Sequence, residues 1–576
     1  MLDFLRHASS LRLIGGAGAS LLLLPALQAQ IVGGGWPVQL VLDGSSAGES
    51  FGGKVALGGD FDGDGSPDLI VASPSMTVAG LANVGSVGVY SGVDGQLILR
   101  VDGQIADSRF GYAVTGMGDT NGDGGADLLV GAPFDAPNNE KDAGSAYLFS
   151  GADGSLLWRV DGRKTIDKLG NDVANCGDID GDGVDDAVIG SHAAWVASVY
   201  HAGRAVVVSG ATGGLIYDFP GFHLHSHFGS SVGGPGDLNL DGTPDIVVGG
   251  YGVETLGLNN AGAVVAFSGA DGSLLWQYDG QRLEAHRGEA LAPAGDFNGD
   301  GVPDVLDGSQ RSLGKPYAKY VGAVLVHSGV DGTPLFELRG SDAKQGLGSS
   351  VAPAGDLDGD GYDDFLVGSP GSDPNGRTDS GMLLVLAGNT GTELTRFEGA
   401  KTGDKLGLGC AGYADVNGDG RGDFLVGLPG RDTAGIADAG QAQLLGRDPW
   451  IELTANEISA SAGGQIDFLI GFPDTAAGRP YGLLFSGTGP GPSTIGGIQV
   501  PLTQDAIFLS TSQGNYPGFL TSAKGNLDPA AAAVATLLAA PGDLAPFVGF
   551  SFCVRAVSQH PRHGLASSSH VGHILA

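Results

Sequence analysis

Asp60-Phe61-Asp62-Gly63-Asp64-Gly65-Ser66-Pro67-Asp68 returns with small changes from Asp119, Asp178, Asp237, Asp296, Asp356 and Asp415, at intervals of 59, 59, 59, 59, 60 and 59 residues. A fixed period of this length marks a chain built from repeated supersecondary units. Around each loop, short apolar runs alternate with glycine-bearing turns. Ser150-Gly151-Ala152-Asp153-Gly154 followed by Leu156 to Val160 is one such turn and strand. Runs such as Ala205 to Val208 are too short for helices and rich in β-branched residues. Each repeat therefore reads as four strands joined in an antiparallel meander.

The ends of the array decide between a line and a ring. The seventh repeat reaches Gln441 to Leu445 and has no fourth strand after it, whereas Val38 to Leu42 stands ahead of the first repeat. Asp43-Gly44 is in register with Asp102-Gly103 and Asp161-Gly162, so this N-terminal piece is the missing strand. Closing the ring removes exposed sheet edges. The expected fold is all-β: a seven-bladed β-propeller of four-stranded antiparallel blades, closed by an N-terminal strand.

Composition agrees. Of 576 residues, 105 are glycine and 28 proline, and 42% are apolar, which suits a turn-rich folded chain rather than a disordered one. A formal charge of −35 excludes binding to a nucleic-acid backbone by counterion release. Three cysteines, Cys176, Cys410 and Cys553, are too few for a disulfide framework.

The loops specify metal chemistry. Positions 1, 3, 5 and 9 carry oxygen side chains throughout. They are Asp60, Asp62, Asp64 and Asp68; Asp119, Asn121, Asp123 and Asp127; Asp178, Asp180, Asp182 and Asp186; and Asp237, Asn239, Asp241 and Asp245. The last three loops offer Asp296, Asn298, Asp300 and Asp304; Asp356, Asp358, Asp360 and Asp364; and Asp415, Asn417, Asp419 and Asp423. Hard oxygen donors at this spacing suit Ca²⁺, up to seven ions, rather than zinc or copper. Left bare, two carboxylates about 4 Å apart repel by about 4 kcal/mol at an effective dielectric near 20. An EF-hand would need a Glu at position 12, where these loops have Val71, Val130, Ile189, Val248, Asp307, Val367 and Val426. The loop runs into a strand instead.

Phe110-Gly111, Asp119 to Asp127 and Gly131-Ala132-Pro133 together resemble an FG-GAP repeat, the unit of the integrin α-subunit propeller, also found in GPI-specific phospholipase D and in many secreted bacterial proteins. The resemblance covers about residues 38–446. It implies a calcium-stabilised propeller used for adhesion or ligand binding, and it names no ligand. Local departures are Leu169 and Leu406 in place of Phe, and Gly308-Ser309-Gln310 in place of Gly-Ala-Pro. Arg421-Gly422-Asp423 invites an adhesion-tripeptide reading, but Asp423 is the ninth position of a metal loop.

In a meander, the Asp loops lie on one face and the connections between strands two and three, with those between blades, on the other. On that second face the third to fifth repeats stand out. Trp195 and Tyr200 share a loop with His192 and His201; His223, His225 and His227 follow in the next connection. Arg311, Lys315, Tyr317 and Tyr320 occupy a loop without an acid, and Arg287 stands where other repeats have Phe or Leu. Aromatic and basic groups on loops suit a protein or glycan partner. His223, His225 and His227, spaced by two, would share one face of a strand and offer a zinc site; a solvated loop is the simpler reading.

Residues 1–29 read as a secretory signal peptide: Arg6 and Arg12, an apolar stretch to Ala26, and a small residue at Ala29. The propeller is expected over 30–448, and a small C-terminal β-sandwich over 449–576. The mature chain is expected outside the cell or on its surface, without a transmembrane segment. The function that follows is an exported calcium-binding propeller for adhesion or ligand binding. The alternative is a propeller-based enzyme, such as a polysaccharide lyase or phosphodiesterase. No nucleophile elbow, zincin helix or phosphate loop supports it, and it would require Asp307, His286 or Arg287 to converge on a pocket.

Overall fold

The computed structural model describes residues 32–33, 38–314, 320–358, 360–417 and 422–446, and beyond these the backbone of strands lying between 452 and 575. Seven four-stranded antiparallel blades follow one another around a ring. Blade one comprises Lys54–Leu57, Leu69–Ser73, Ser86–Tyr90 and Leu97–Asp102. Blade three comprises Val173–Gly177, Asp186–Ser191, Arg204–Val208 and Leu215–Pro220. The second strand of each blade is buried along its whole length, as in Asp127–Ala132 and Phe365 within Asp364–Ser369. It is covered on both faces by neighbouring blades, so it reads as a continuous apolar run rather than an alternating one. The fourth strand lies at the rim and is half exposed.

The ring closes as the periodicity requires. Val38–Asp43 pairs antiparallel with Gln441–Leu445, with Val41 opposite Gln443 and Asp43 opposite Gln441. Phe51 then bridges Gly440. The same bridge links neighbouring blades at Gly144 and Leu169, Gly203 and Phe228, and Gly381 and Leu406. It explains the glycine ahead of each third strand: a Cβ at Gly85, where φ is +85°, would sit 2.0 Å from the Phe110 carbonyl oxygen. Leu169 and Leu406 therefore substitute for Phe without altering the backbone that fastens one blade to the next.

One strand was not expected. Val32–Gly33 adds to the outer edge of blade six, opposite Phe397 and Glu398, making that sheet five-stranded. The chain thus covers one rim strand before supplying the next blade's fourth strand.

Beyond the ring, the described strands form three further sheets, one built around Gly464–Gly471 and Ala532–Ala539, one around Pro480–Ser486 and Ser551–Gln559, and a two-stranded one of Pro492–Ile495 and Ile498–Pro501. The side-chain packing expected of a C-terminal sandwich lies outside the described residues, as do the expected signal peptide, Lys315, Tyr317, Asp419 and Arg421. Among the described residues no helix is long and apolar enough to cross a membrane.

Candidate functional site

Every Asp loop joins the first and second strands of its blade, and its side chains organise it. In the first loop, Asp60 Oδ1 accepts from the main-chain nitrogens of Gly63 (2.7 Å) and Asp64 (3.1 Å), and Oδ2 from that of Gly65 (2.8 Å). Gly65 has φ +90°, a conformation open to glycine, which lets the loop fold back on Asp60.

The ninth residue has a second task. Asp68 is fully buried, taking hydrogen bonds from Phe61 N (2.7 Å) and, across the blade, from Gly92 N (3.0 Å). The pattern repeats at Asp186 with Ile179 N and Gly210 N, and at Asp304 with Phe297 N and Gly329 N. It stitches the Asp loop to the turn between strands three and four. Burial pushes the carboxyls of Asp68, Asp186, Asp304 and Asp364 up to about 6 against main-chain hydrogen bonds that pull them down.

Two kinds of loop emerge. Where all four positions are Asp, three carboxylates converge with ligand oxygens within 4.8 Å of one another: Asp60, Asp62 and Asp68; Asp178, Asp180 and Asp186; Asp356, Asp358 and Asp360. In the second, fourth and fifth loops position three is Asn, and its amide donates to the position-five carboxylate, as Asn121 does to Asp123 (2.7 Å) and Asn239 to Asp241 (2.8 Å); in the seventh, Asn417 donates to Asp423 at position nine (3.1 Å). The electrostatics follow. Burial, then the charges of Asp64 and Asp60, raise Asp62, whereas hydrogen bonds hold Asp123 and Asp241 below the usual range. Among the described residues, no ion pair with Lys, Arg or His reaches a loop carboxylate of the first five repeats. An all-oxygen, uncompensated donor set fits a hard dication.

On the opposite face, the loops of blades three to five form a continuous chain of rings. Trp195, 43% exposed, packs edge-on against Tyr200 (5.1 Å), which stacks on His201 (3.7 Å) and meets His225 edge-on (5.2 Å). His227 stacks on Tyr251 (4.7 Å), and the Arg311 guanidinium lies 5.3 Å from the Tyr251 ring centre. Trp195, Tyr200, His225, His227 and Arg311 are thus brought together. Tyr320 is exposed at the far end of Arg311's loop, and among the described ring contacts neither it nor His223 makes one. The spacing of two does not produce a shared strand face: His225 and His227 have φ +55° and +52°, so this is a turn. The imidazole that joins them is His201.

Two more expectations change. Arg311 is not a free base but pairs with Glu289 at 3.0 Å, an acid supplied by the start of blade five rather than by its own loop. Burial raises Glu289 to about 7, with Arg311 opposing the shift. Arg287, expected on this face, is 2% exposed and turned inward to Asp307 and Glu337. Asp307 is fully buried and also meets His327 at 3.3 Å, while His286 pairs with Glu284 at 2.9 Å. Arg287 and Asp307 are thus buried together, while His286 is directed to Glu284 instead.

Sequence reasoning missed Tyr251 as part of the arc, although a signal was present. Six residues after the ninth loop position stand Pro74, Pro133, Pro370 and Pro429 in four repeats, but His192, Tyr251 and Gln310 in the third to fifth. All three departures line a central cavity of about 500 Å³ walled by the first strands of the blades, with Glu289 and Arg311 beside them.

The seven-bladed ring, with an Asp loop between the first and second strands of its blades, resembles the FG-GAP-repeat propeller of integrin α subunits. The FG-GAP repeat matches at residues 51–90, 110–149 and 347–386. The chain is similar to Integrin alpha-8 of Mus musculus, 30% identical over 234 residues, which is 38% of this chain and 21% of that protein. It is similar to Integrin alpha-IIb of Homo sapiens, 32% identical over 233 residues, covering 37% and 21%. The matched region spans about a fifth of the length of these curated relatives. A solved structure, europium-containing methanol dehydrogenase, aligns over 71% of this chain and 93% of its own, with a TM-score of 0.38 and 9% identity.

Proposed function

We propose that the protein is an exported, calcium-loaded propeller that binds an extracellular protein or glycan through the loops of blades three to five. The observation that carries this reading is the unbroken ring contact from Trp195 through Tyr200, His225 and His227 to Tyr251 and Arg311, on the side away from the Asp loops. Partly exposed aromatic rings with a cation beside them offer both stacking area and directed polar contacts. The likeness to integrin α subunits supports an adhesive role at or outside the cell surface. For calcium, the support is the convergence of three carboxylates in each all-Asp loop without a compensating cation in the first and third.

Screening the calcium-loaded protein against arrays of glycans and extracellular-matrix proteins tests this reading. A hit that Trp195→Ala abolishes, with calcium content unchanged, supports it. Hits indifferent to Trp195, Tyr200 and Arg311 place the partner elsewhere.

A further inference from the structure

The repeats provide their own internal control for the junction between blades three and four. At each junction three positions meet: one ahead of the third strand, and two in the connection to the next blade. Between blades one and two, Asn83 donates to Asp107 at 2.9 Å. Between blades four and five, Asn260 donates to Glu284 at 3.1 Å, and Glu284 in turn meets His286 at 2.9 Å. The left-handed backbone is common property, since Asp107 and Arg109, Glu284 and His286, and His225 and His227 all have φ between 50° and 61°. Between blades three and four, the positions of Asn260, Glu284 and His286 are taken by His201, His225 and His227. An amide–carboxylate–imidazole network has become three imidazoles.

We propose that His201, His225 and His227 bind a borderline divalent transition metal of the Zn²⁺ class. Their ligand nitrogens lie within 4.8 Å of one another. His201 Nε2 and His227 Nδ1 are buried without a hydrogen-bond partner, an arrangement that folded proteins avoid unless something else occupies the lone pair. The His227 ring lies against that of His192, 5.7 Å between centres. Zn–N bonds of about 2.0–2.1 Å put two ligand nitrogens about 3.4 Å apart in a tetrahedral site. His225 is exposed and can rotate to close the difference. Lys168 and Arg311 stand near the cluster, and among the described residues no carboxylate joins it. This disfavours Ca²⁺ and leaves selectivity to directional imidazole bonds. Three protein ligands leave an open coordination position, as in sites that accept water or an exogenous group.

The test uses the full-length protein in calcium-saturated buffer, with Zn²⁺ as the probe and a chromophoric chelator as competitor. One equivalent of Zn²⁺ should bind. His201→Gln and His225→Gln should each weaken binding by about tenfold or more. His223→Gln, which alters the spacing-of-two triplet but not the cluster, should leave it unchanged. Calcium content and melting temperature, measured on each variant, show that the propeller is intact; His225 is exposed, so its variant keeps the test open if His201→Gln folds poorly. Absence of retained Zn²⁺ overturns the proposal. So does equal retention by His225→Gln, or loss on changing His223.

Discussion

Arg287 Nη1 and Asp307 Oδ2 lie 3.8 Å apart inside blade five, with side chains 3% and 0% exposed. Each departs from the repeat, Arg287 from the Phe of its blade-bridging pair and Asp307 from the Val or Ile of the second strand. In sequence, Asp307 is an isolated acid in an otherwise apolar strand position. In the structure the two departures are one event: a buried cation placed where a buried anion twenty residues on can meet it. Glu337 and His327 complete the network.

Removing one member should therefore harm the fold more than removing both. Arg287→Leu leaves buried Asp307 with His327 alone among its ion-pair partners, and Asp307→Val leaves buried Arg287 with Glu337 alone, so each should cost up to about 3–5 kcal/mol. Arg287→Phe combined with Asp307→Val restores the residues of the neighbouring repeats and should cost much less than the sum. Denaturant unfolding of the two single variants and the double variant measures this coupling, and strict additivity would contradict it.

Calcium should control stability. A site at about 100 times its dissociation constant adds about 2.7 kcal/mol by linkage, so exhaustive chelation should lower the melting temperature by many degrees. Asp60→Ala with Asp62→Ala should remove one ion by elemental analysis. A chelated protein that melts unchanged, and holds no calcium beforehand, would refute the assignment.

Without calcium, the pH dependence should have an unusual sign. Asp68, Asp186, Asp304 and Asp364 are raised from 3.8 to about 6 in the folded protein, chiefly by burial. Between those values the folded state holds protons that the unfolded chain has released. The stability contribution is therefore present at the acid end and is lost as pH rises from about 4 to about 6. Saturating calcium should reverse the slope, because the ion must displace those protons. Melting curves across this window, in calcium-depleted and calcium-saturated buffer, should diverge as pH rises.

On the loop face, Trp195→Ala and Tyr320→Ala should change stability by less than about 0.5 kcal/mol, since both side chains are more than two-fifths exposed. If Trp195 anchors the partner, its loss should weaken binding by over 2 kcal/mol, about thirtyfold. Tyr320, away from the ring chain, should matter less. Titration of the captured partner against both variants distinguishes the two positions.

The sequence alone determined the ring and the Asp loops. A period of 59 residues counts the blades, and the registered piece at Val38 closes them, because strand pairing depends on spacing along the chain. Asp60 to Asp68 can be read without coordinates for the same reason: nine consecutive residues carry their donors to one point through local backbone geometry. What only the tertiary structure decided lies between segments. Asp68 is held by Gly92, Arg287 by Asp307 and Glu337, Arg311 by Glu289, and His225 meets His201 rather than His223. Each of these partners comes from a different loop or strand, brought close by the turning of the chain within a blade and the packing of one blade on the next. Linear spacing carries no information about which side chains such packing places face to face.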